Sequence, residues 1–549
     1  MKLKLYFLIF TIAILLNSCE KNVNTSYLSE LESFENNLEK SRILLKIPGF
    51  SAAIIKERKI IWAKGFGYAD VKNKRKATPN TSYHLASLTK TFASIIILEL
   101  VEQGKVNLDD SILKYGINLD EARQYNMNVV SEEKIKVKHL LSHTAEGIPG
   151  TYYNYNGYLF SLLDNVIERA SGKTFGELVT DKIIKPLEMS STAPNICDTT
   201  NFNLTGYDPT IFYENLAKPY ILDSLNNIIE SKLETYFGTA AGLMSSVIDM
   251  AKYSIAIDEN KFLDKKTQDI VFNPTVSTNG DTLPYGLGWF VQNYKGIKMI
   301  WHYGLWNTNS SLIIRVPERD LALVILANSN NLTRPFSLGT GDVLTSIFAV
   351  DFFKKFIFSN KALDINWDLS FEDLKKQLHE FQPGSYQELL QKELYGQARL
   401  HFAVGDQDRV QKLFQLYTEV YSKNIPEKFA TLRLLANLDN IKDNEERTSK
   451  FNIHSPTTVT VFSIGEGLNG KMSDFGWIED LSNRVVWRMN EPETVHAGGD
   501  LKNRLIDTTF ILQPGTYKLK YKSDDSHSFN LWNTLPPSFA FYGIRVYEN

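Results

Sequence analysis

The sequence predicts an α+β protein: one antiparallel sheet interrupted by a helical lobe, then a helical region and a carboxy-terminal β-sandwich. Three observations carry this. Strand-like apolar runs occur at 49–68 and return at 286–328, while 109–255 between them alternates amphipathic helical stretches with loops. Beyond about residue 350 the pattern turns to helix periodicity, and after 450 to short alternating runs broken by Gly and Pro.

Taken in order, the amino terminus carries Lys2 and Lys4, an apolar run Leu5–Leu16, then Asn17-Ser18-Cys19. That is the shape of a bacterial secretion signal, with an apolar run too short to span a bilayer. Its ending resembles a lipobox, in which a small residue precedes a Cys that is acylated and becomes the mature terminus. The alternatives are a generic signal peptide or a short membrane anchor. The expectation is a lipoprotein signal over 1–19, lipidation at Cys19, a polar tether over 20–34, and a protein exported and lipid-anchored at the cell envelope.

Gly49–Ile55 and Ile60–Tyr68 read as a hairpin across a charged turn. Thr89–Gln103 has helix length and composition and stops at Gly104. Strands return at Gly286–Val291, Met299–His302, Ser311–Val316 and Ala322–Asn328, the last two flanking the turn Pro317-Glu318-Arg319-Asp320. The expected domains are 35–350, a helical and possible repeat region at 360–447, and the sandwich at 450–549. In the last, Trp477, Trp487, Trp532, Phe539 and Tyr542 could line a glycan or protein contact, or simply fill a small aromatic core.

Composition removes several classes of function. With 60 Lys+Arg against 63 Asp+Glu the net charge is −3 and no basic stripe appears, which excludes a nucleic-acid-binding chain as the default. Two cysteines cannot supply a four-thiolate zinc site, a disulfide framework or an iron–sulfur cluster from this chain alone. Cys197 reads as a small hydrophobe. The nine His include no His-Glu-x-x-His, and Gly65-x-Gly67 lacks a third Gly and a following helix. Neither a metal nor an organic cofactor is implied.

Ser-x-x-Lys is the pattern that offers chemistry. Three residues apart on a helix, both side chains share a face, and the amine can take the hydroxyl proton. Matches occur at Ser18, Ser87, Ser111 and Ser131. Ser18 lies in the signal, and Ser111 and Ser131 sit in polar surroundings that would not desolvate a lysine. Ser87 alone opens an apolar helix, where burial would push the Lys90 amine towards neutrality and the helix dipole would favour negative charge at Ser87. The alternative is a capping Ser beside a solvated Lys.

Around this pair the segments Gly65–Asp70, Thr78–Thr81, Ala86-Ser87-Leu88-Thr89-Lys90-Thr91-Phe92 and Leu98–Asp110 resemble, in order and spacing, the serine β-lactamase-related family. It includes class C β-lactamases, D-alanyl-D-alanine peptidases and esterases. The likeness continues through Val137–Thr144, Ile184–Met189 and Ala241–Ala251, and covers about 35–345. It implies a β-lactamase/transpeptidase-like fold and an acyl-enzyme on Ser87, with Lys90 either as the base or holding Tyr155 as the base.

The resemblance also implies a Tyr-x-Asn element whose Tyr shuttles protons. The flanks Pro149-Gly150-Thr151 and Val166–Gly172 place it at Tyr155-Asn156-Gly157, with Gly157 at the family's Asn and Asn156 one place early. A literal Tyr-x-Asn at Tyr213 lacks the family's flanks, and another at Tyr547 is at the chain end. The third element is His302-Tyr303-Gly304, with His496-Ala497-Gly498 a rival in spelling only. By resemblance the amides of Ser87 and Leu305 form an oxyanion hole. His302 and Asn156 would contact substrate, and Gly304 would let the substrate backbone approach. Thr308 stands where the family usually has Gly, which implies a narrower acyl pocket.

The expected function is a serine hydrolase acting on small ester, amide or peptidoglycan-derived substrates, with ester or peptide hydrolysis ranked above β-lactam hydrolysis because of His302 and Gly157. The alternative is a hydrolase fold turned into a scaffold that recruits a glycan or protein partner through its carboxy-terminal regions.

Overall fold

Strands β1 (Gly49–Lys56) and β2 (Lys59–Asp70) pair in antiparallel register across Glu57-Arg58. Both turn residues hold positive φ, 51° and 58°, the left-handed pair that matches the twist of a two-residue hairpin. This hairpin belongs to a computed structural model that describes residues 28–120, 127–129, 131–194, 205–358, 363–380, 386–421, 429, 431–468, 470–497, 502–529, 532, 537 and 541–549. The expected signal 1–19, Cys19, Cys197 and Phe539 lie outside the described residues. No helix among those described is long and apolar enough to cross a membrane.

After the short strands β3 (Arg75–Lys76) and β4 (Tyr83–His84) the chain leaves the main sheet. Its helical lobe also holds the hairpin β5 (Tyr220–Leu222) and β6 (Ile228–Glu230), and β7 (Met244–Ser245), which pairs with β4. The chain then returns as β8 (Phe290–Tyr294), β9 (Ile297–Leu305), β10 (Ser310–Val316) and β11 (Leu321–Ala327). The seven-stranded antiparallel sheet runs β3-β2-β1-β11-β10-β9-β8. Central β11 is buried along its whole length, so its Leu-Ala-Leu-Val-Ile-Leu-Ala run lacks polar alternation. Helix Thr89–Glu102 is likewise buried on nearly every side, which explains its weak amphipathicity.

Two expectations change here. The strand expected at Gly286–Val291 begins only at Phe290. Gly288 has φ 87°, and a Cβ on it would lie 2.4 Å from the Ser94 Cβ, so this segment is a loop pressed onto helix Thr89–Glu102. The tether expected over 20–34 overlaps a helix at 28–44. Phe34 from that helix is buried against Trp62, Phe352 and Phe356, contacts that a polar tether would not make.

A second compact unit begins near residue 362. It contains helices Phe371–Glu380, Gln387–Ala403 and Gln407–Tyr421, then strands β12 (Arg433–Asp439), β13 (Glu446–Ile453), β14 (Thr457–Leu468), β15 (Lys471–Asp480), β16 (Val485–Arg488), β17 (Val495–His496), β18 (Asn503–Leu512), β19 (Gly515–Lys522) and β20 (Gly543–Glu548). One sheet contains β12, β20, β14, β18 and β17, the other β13, β19, β15 and β16, and the hairpin β14–β15 joins them around a shared apolar core. The boundary expected at 447–450 is displaced, because β12 and β13 already belong to these sheets. Tyr542 is core, Trp487 and Trp532 pack against that core, and Trp477 lies under Lys520.

Candidate active site

Ser87 sits in the 3₁₀ turn Ala86–Leu88 that leads directly into helix Thr89–Glu102. Ala86 holds φ 49°, an unfavourable conformation for a residue with a Cβ, and its N–H donates to Nδ1 of His84 at 3.1 Å. That bond leaves the proton of neutral His84 on Nε2, and burial holds the ring pKa down at about 4. His84 therefore fixes the residue before Ser87, a role no pattern in the sequence announces.

One helical turn on, the Lys90 Nζ donates to Ser87 Oγ at 3.0 Å and to the Ala240 carbonyl at 2.8 Å. Lys90 is 1% exposed. Desolvation alone lowers its pKa to about 7. Once neutral, the amine can keep Ala240 as acceptor and turn its lone pair to the serine proton, which is the requirement for a general base. A solvated lysine beside a capping serine does not describe this pair.

Tyr155 precedes helix Gly157–Ser161, with its ring 5.2 Å from Lys90 Nζ. Its buried hydroxyl makes no hydrogen bond of ordinary geometry, although the Ser87 hydroxyl is its polar neighbour. Burial, then Tyr303, pushes the phenol well above its usual pKa, so the group is a neutral donor rather than a phenolate. The sequence also missed His143, which has φ 55° and a ring 4.3 Å from that of Tyr155. Its Nδ1 accepts the Asn156 N–H at 3.1 Å.

Three expected roles change. Asn156 does not face Lys90: its Oδ1 accepts from Leu159 N at 3.0 Å, and its Nδ2 donates to Glu146 at 2.7 Å. The amide caps the helix instead of meeting substrate. His302 is buried, its Nδ1 donating to the Tyr303 carbonyl at 2.7 Å and its Nε2 accepting from the Tyr285 hydroxyl at 2.8 Å. Burial, then Lys90, depresses its pKa to about 3, so it is neutral with both nitrogens engaged and offers no charge to a substrate. Gly304 does not leave room for substrate. A Cβ there would lie 2.1 Å from the Leu85 carbonyl oxygen and 2.2 Å from Ser311 Oγ, so this glycine lets β9 press against the turn that carries Ser87. Leu305, 37% exposed, ends β9. Thr308 is buried, with its hydroxyl donating to Asn309 at 2.8 Å. Gly157 faces Lys90, and a Cβ on it would meet only Nζ, at 3.9 Å.

Residues 34–343 match the family described as Beta-lactamase. The chain belongs to the beta-lactamase family. Within this beta-lactamase family, it is 27% identical over 335 residues to Protein flp of Staphylococcus aureus (strain MW2), a match covering 54% of this chain and 62% of that protein. It is 24% identical over 318 residues to Penicillin-binding protein 4* of Bacillus subtilis (strain 168), covering 50% and 66%. The chain thus spans under two thirds of the length of these relatives. A solved octameric penicillin-binding protein homologue from Pyrococcus abyssi is 25% identical over 55% of this chain and 74% of that one, with a TM-score of 0.48.

Proposed function

We propose that the protein hydrolyses small esters or amides through an acyl-enzyme on Ser87. The observation that carries the reading is the Lys90 amine, desolvated and 3.0 Å from Ser87 Oγ. In acylation the Ser87 oxygen forms a bond to the substrate carbonyl carbon while its proton passes to neutral Lys90. The tetrahedral oxyanion is held by the N–H groups of Ser87 and Leu305. Collapse breaks the bond to the leaving group, which takes a proton delivered through Lys90 and the Tyr155 hydroxyl. Water then attacks the acyl carbon by the reverse route and frees Ser87. Neutral His302 and a side-chain-free Gly157 favour esters and simple amides over substrates that need a cationic strand residue or an amide at position 157. We further place the protein at the cell envelope, a reading that rests on the sequence around Cys19. The test is steady-state hydrolysis of a 4-nitrophenyl alkanoate by the wild type and by Ser87→Ala. Turnover lost in the variant supports the reading, and equal turnover overturns it.

A further inference from the structure

Asp164 lies two helical turns beyond Gly157, in helix Leu163–Ser171. One carboxylate oxygen, Oδ1, accepts the Thr239 N–H at 3.0 Å. The other converges with the Tyr236 hydroxyl over Gly238: a Cβ on that glycine would lie 2.6 Å from Asp164 Oδ2 and 2.9 Å from the hydroxyl. Tyr236 in turn stacks on Trp306, with centroids 6.0 Å apart and planes at 12°. Gly238 is two residues from Ala240, whose carbonyl holds Lys90. Trp306 directly follows Leu305. The carboxylate and its two aromatic rings therefore stand on the Ala240 side of the nucleophile. Tyr155, which would protonate the leaving group, has a different set of ring neighbours, among them His143, Phe290 and Tyr303.

No ion pair to Asp164 occurs among the described residues. Its side chain is half-buried, and its other close charge is Glu168 on the same helix, which repels it. Burial raises its pKa to about 6, so it is mostly ionised at neutral pH without a countercharge. A carboxylate beside the Tyr236 hydroxyl, with the Trp306 ring stacked behind Tyr236, suits a cation, held by the charge and the hydroxyl oxygen.

We propose that Asp164, with Tyr236 and Trp306, is a binding site for an ammonium group on the acyl part of the substrate, so that the enzyme prefers amine-bearing acyl compounds. The proposal deepens the hydrolase reading and rests on it. Gly238, beside the carboxylate, is two residues from Ala240, whose carbonyl holds Lys90, so the carboxylate stands on the order of 10 Å from the amine. A chain of several atoms between carbonyl and amine spans this.

The probes are 4-nitrophenyl 6-aminohexanoate and 4-nitrophenyl heptanoate, which differ by ammonium against methyl at the chain end. The expected result is a wild-type kcat/KM ratio of at least about tenfold in favour of the amine, falling towards parity in Asp164→Asn, which retains an acceptor for the Thr239 N–H. Free 6-aminohexanoate should also inhibit heptanoate hydrolysis by the wild type, and do so more weakly with the variant. Parity in the wild type, or a ratio that survives the substitution because both esters lose equally, overturns the proposal. Heptanoate hydrolysis that is absent or indifferent to Ser87→Ala overturns the hydrolase reading instead.

Discussion

Lys90 Nζ lies 3.0 Å from Ser87 Oγ with desolvation as the cause of its lowered pKa. The amine must be neutral to accept the serine proton, so acylation is switched on as pH rises through the pKa of about 7. The kcat/KM profile for a 4-nitrophenyl ester should rise with a midpoint near 7, and a profile flat from pH 5 to 9 would contradict this.

The same shift has a consequence for stability. Lys90 falls from 10.5 unfolded to about 7 folded, so between these values the unfolded chain binds more protons and stability rises with pH. The cost of the buried charge is largest below pH 7, on the order of 5 kcal/mol, and vanishes above the unfolded value. Lys90→Met should therefore gain most, relative to the wild type, at pH 6 and lose that advantage towards pH 10. Denaturant unfolding at both pH values measures it.

Because the Tyr155 hydroxyl has no hydrogen bond of ordinary geometry, removing it exposes no new unsatisfied group. Tyr155→Phe should keep the wild-type melting temperature within a few degrees and lose about 10²–10⁴-fold in kcat. A large loss of stability with kcat retained would assign Tyr155 to packing instead.

At Gly157 a Cβ meets nothing closer than Lys90 Nζ at 3.9 Å. Gly157→Asn should fold normally and bring an amide oxygen to the amine. If that hydrogen bond assists acylation by a penicillin, by strengthening as the amine takes up the serine proton, the rate of adduct formation should rise about tenfold. An unchanged rate would show that position 157 does not limit this reaction.

Gly304→Ala tests the contact between β9 and the nucleophile turn. The Cβ would strike the Leu85 backbone oxygen at 2.1 Å, which no rotamer change relieves. Overpacking of this kind costs about 1–3 kcal/mol, and here it displaces the turn that carries Ser87. Lower thermal stability together with lost hydrolysis is expected; full activity would mean the strand can move away.

Much of the fold was legible because its apolar runs are long and regular: the β1–β2 hairpin and the buried strand β11 both stand out in the sequence. Ser87 and Lys90 were legible too, because only that Ser-x-x-Lys pair opens an apolar helix. What was not legible depends on side-chain direction. Asn156 reads as a substrate contact until its amide is seen capping a helix and bonding Glu146. His302 reads as a binding group until both nitrogens are found engaged. His84, His143 and Asp164 owe their places to neighbours distant in sequence or to backbone geometry, such as the positive φ of His143, which local periodicity does not encode.

The central claim is a covalent intermediate on Ser87, and intact mass after brief exposure to an activated ester and to a penicillin, with Ser87→Ala alongside, tests it most directly. The account predicts an acyl adduct from the ester that maps to the peptide containing Ser87, decays on standing and is absent from the variant. No adduct from either reagent, or an adduct that persists in Ser87→Ala, would contradict it.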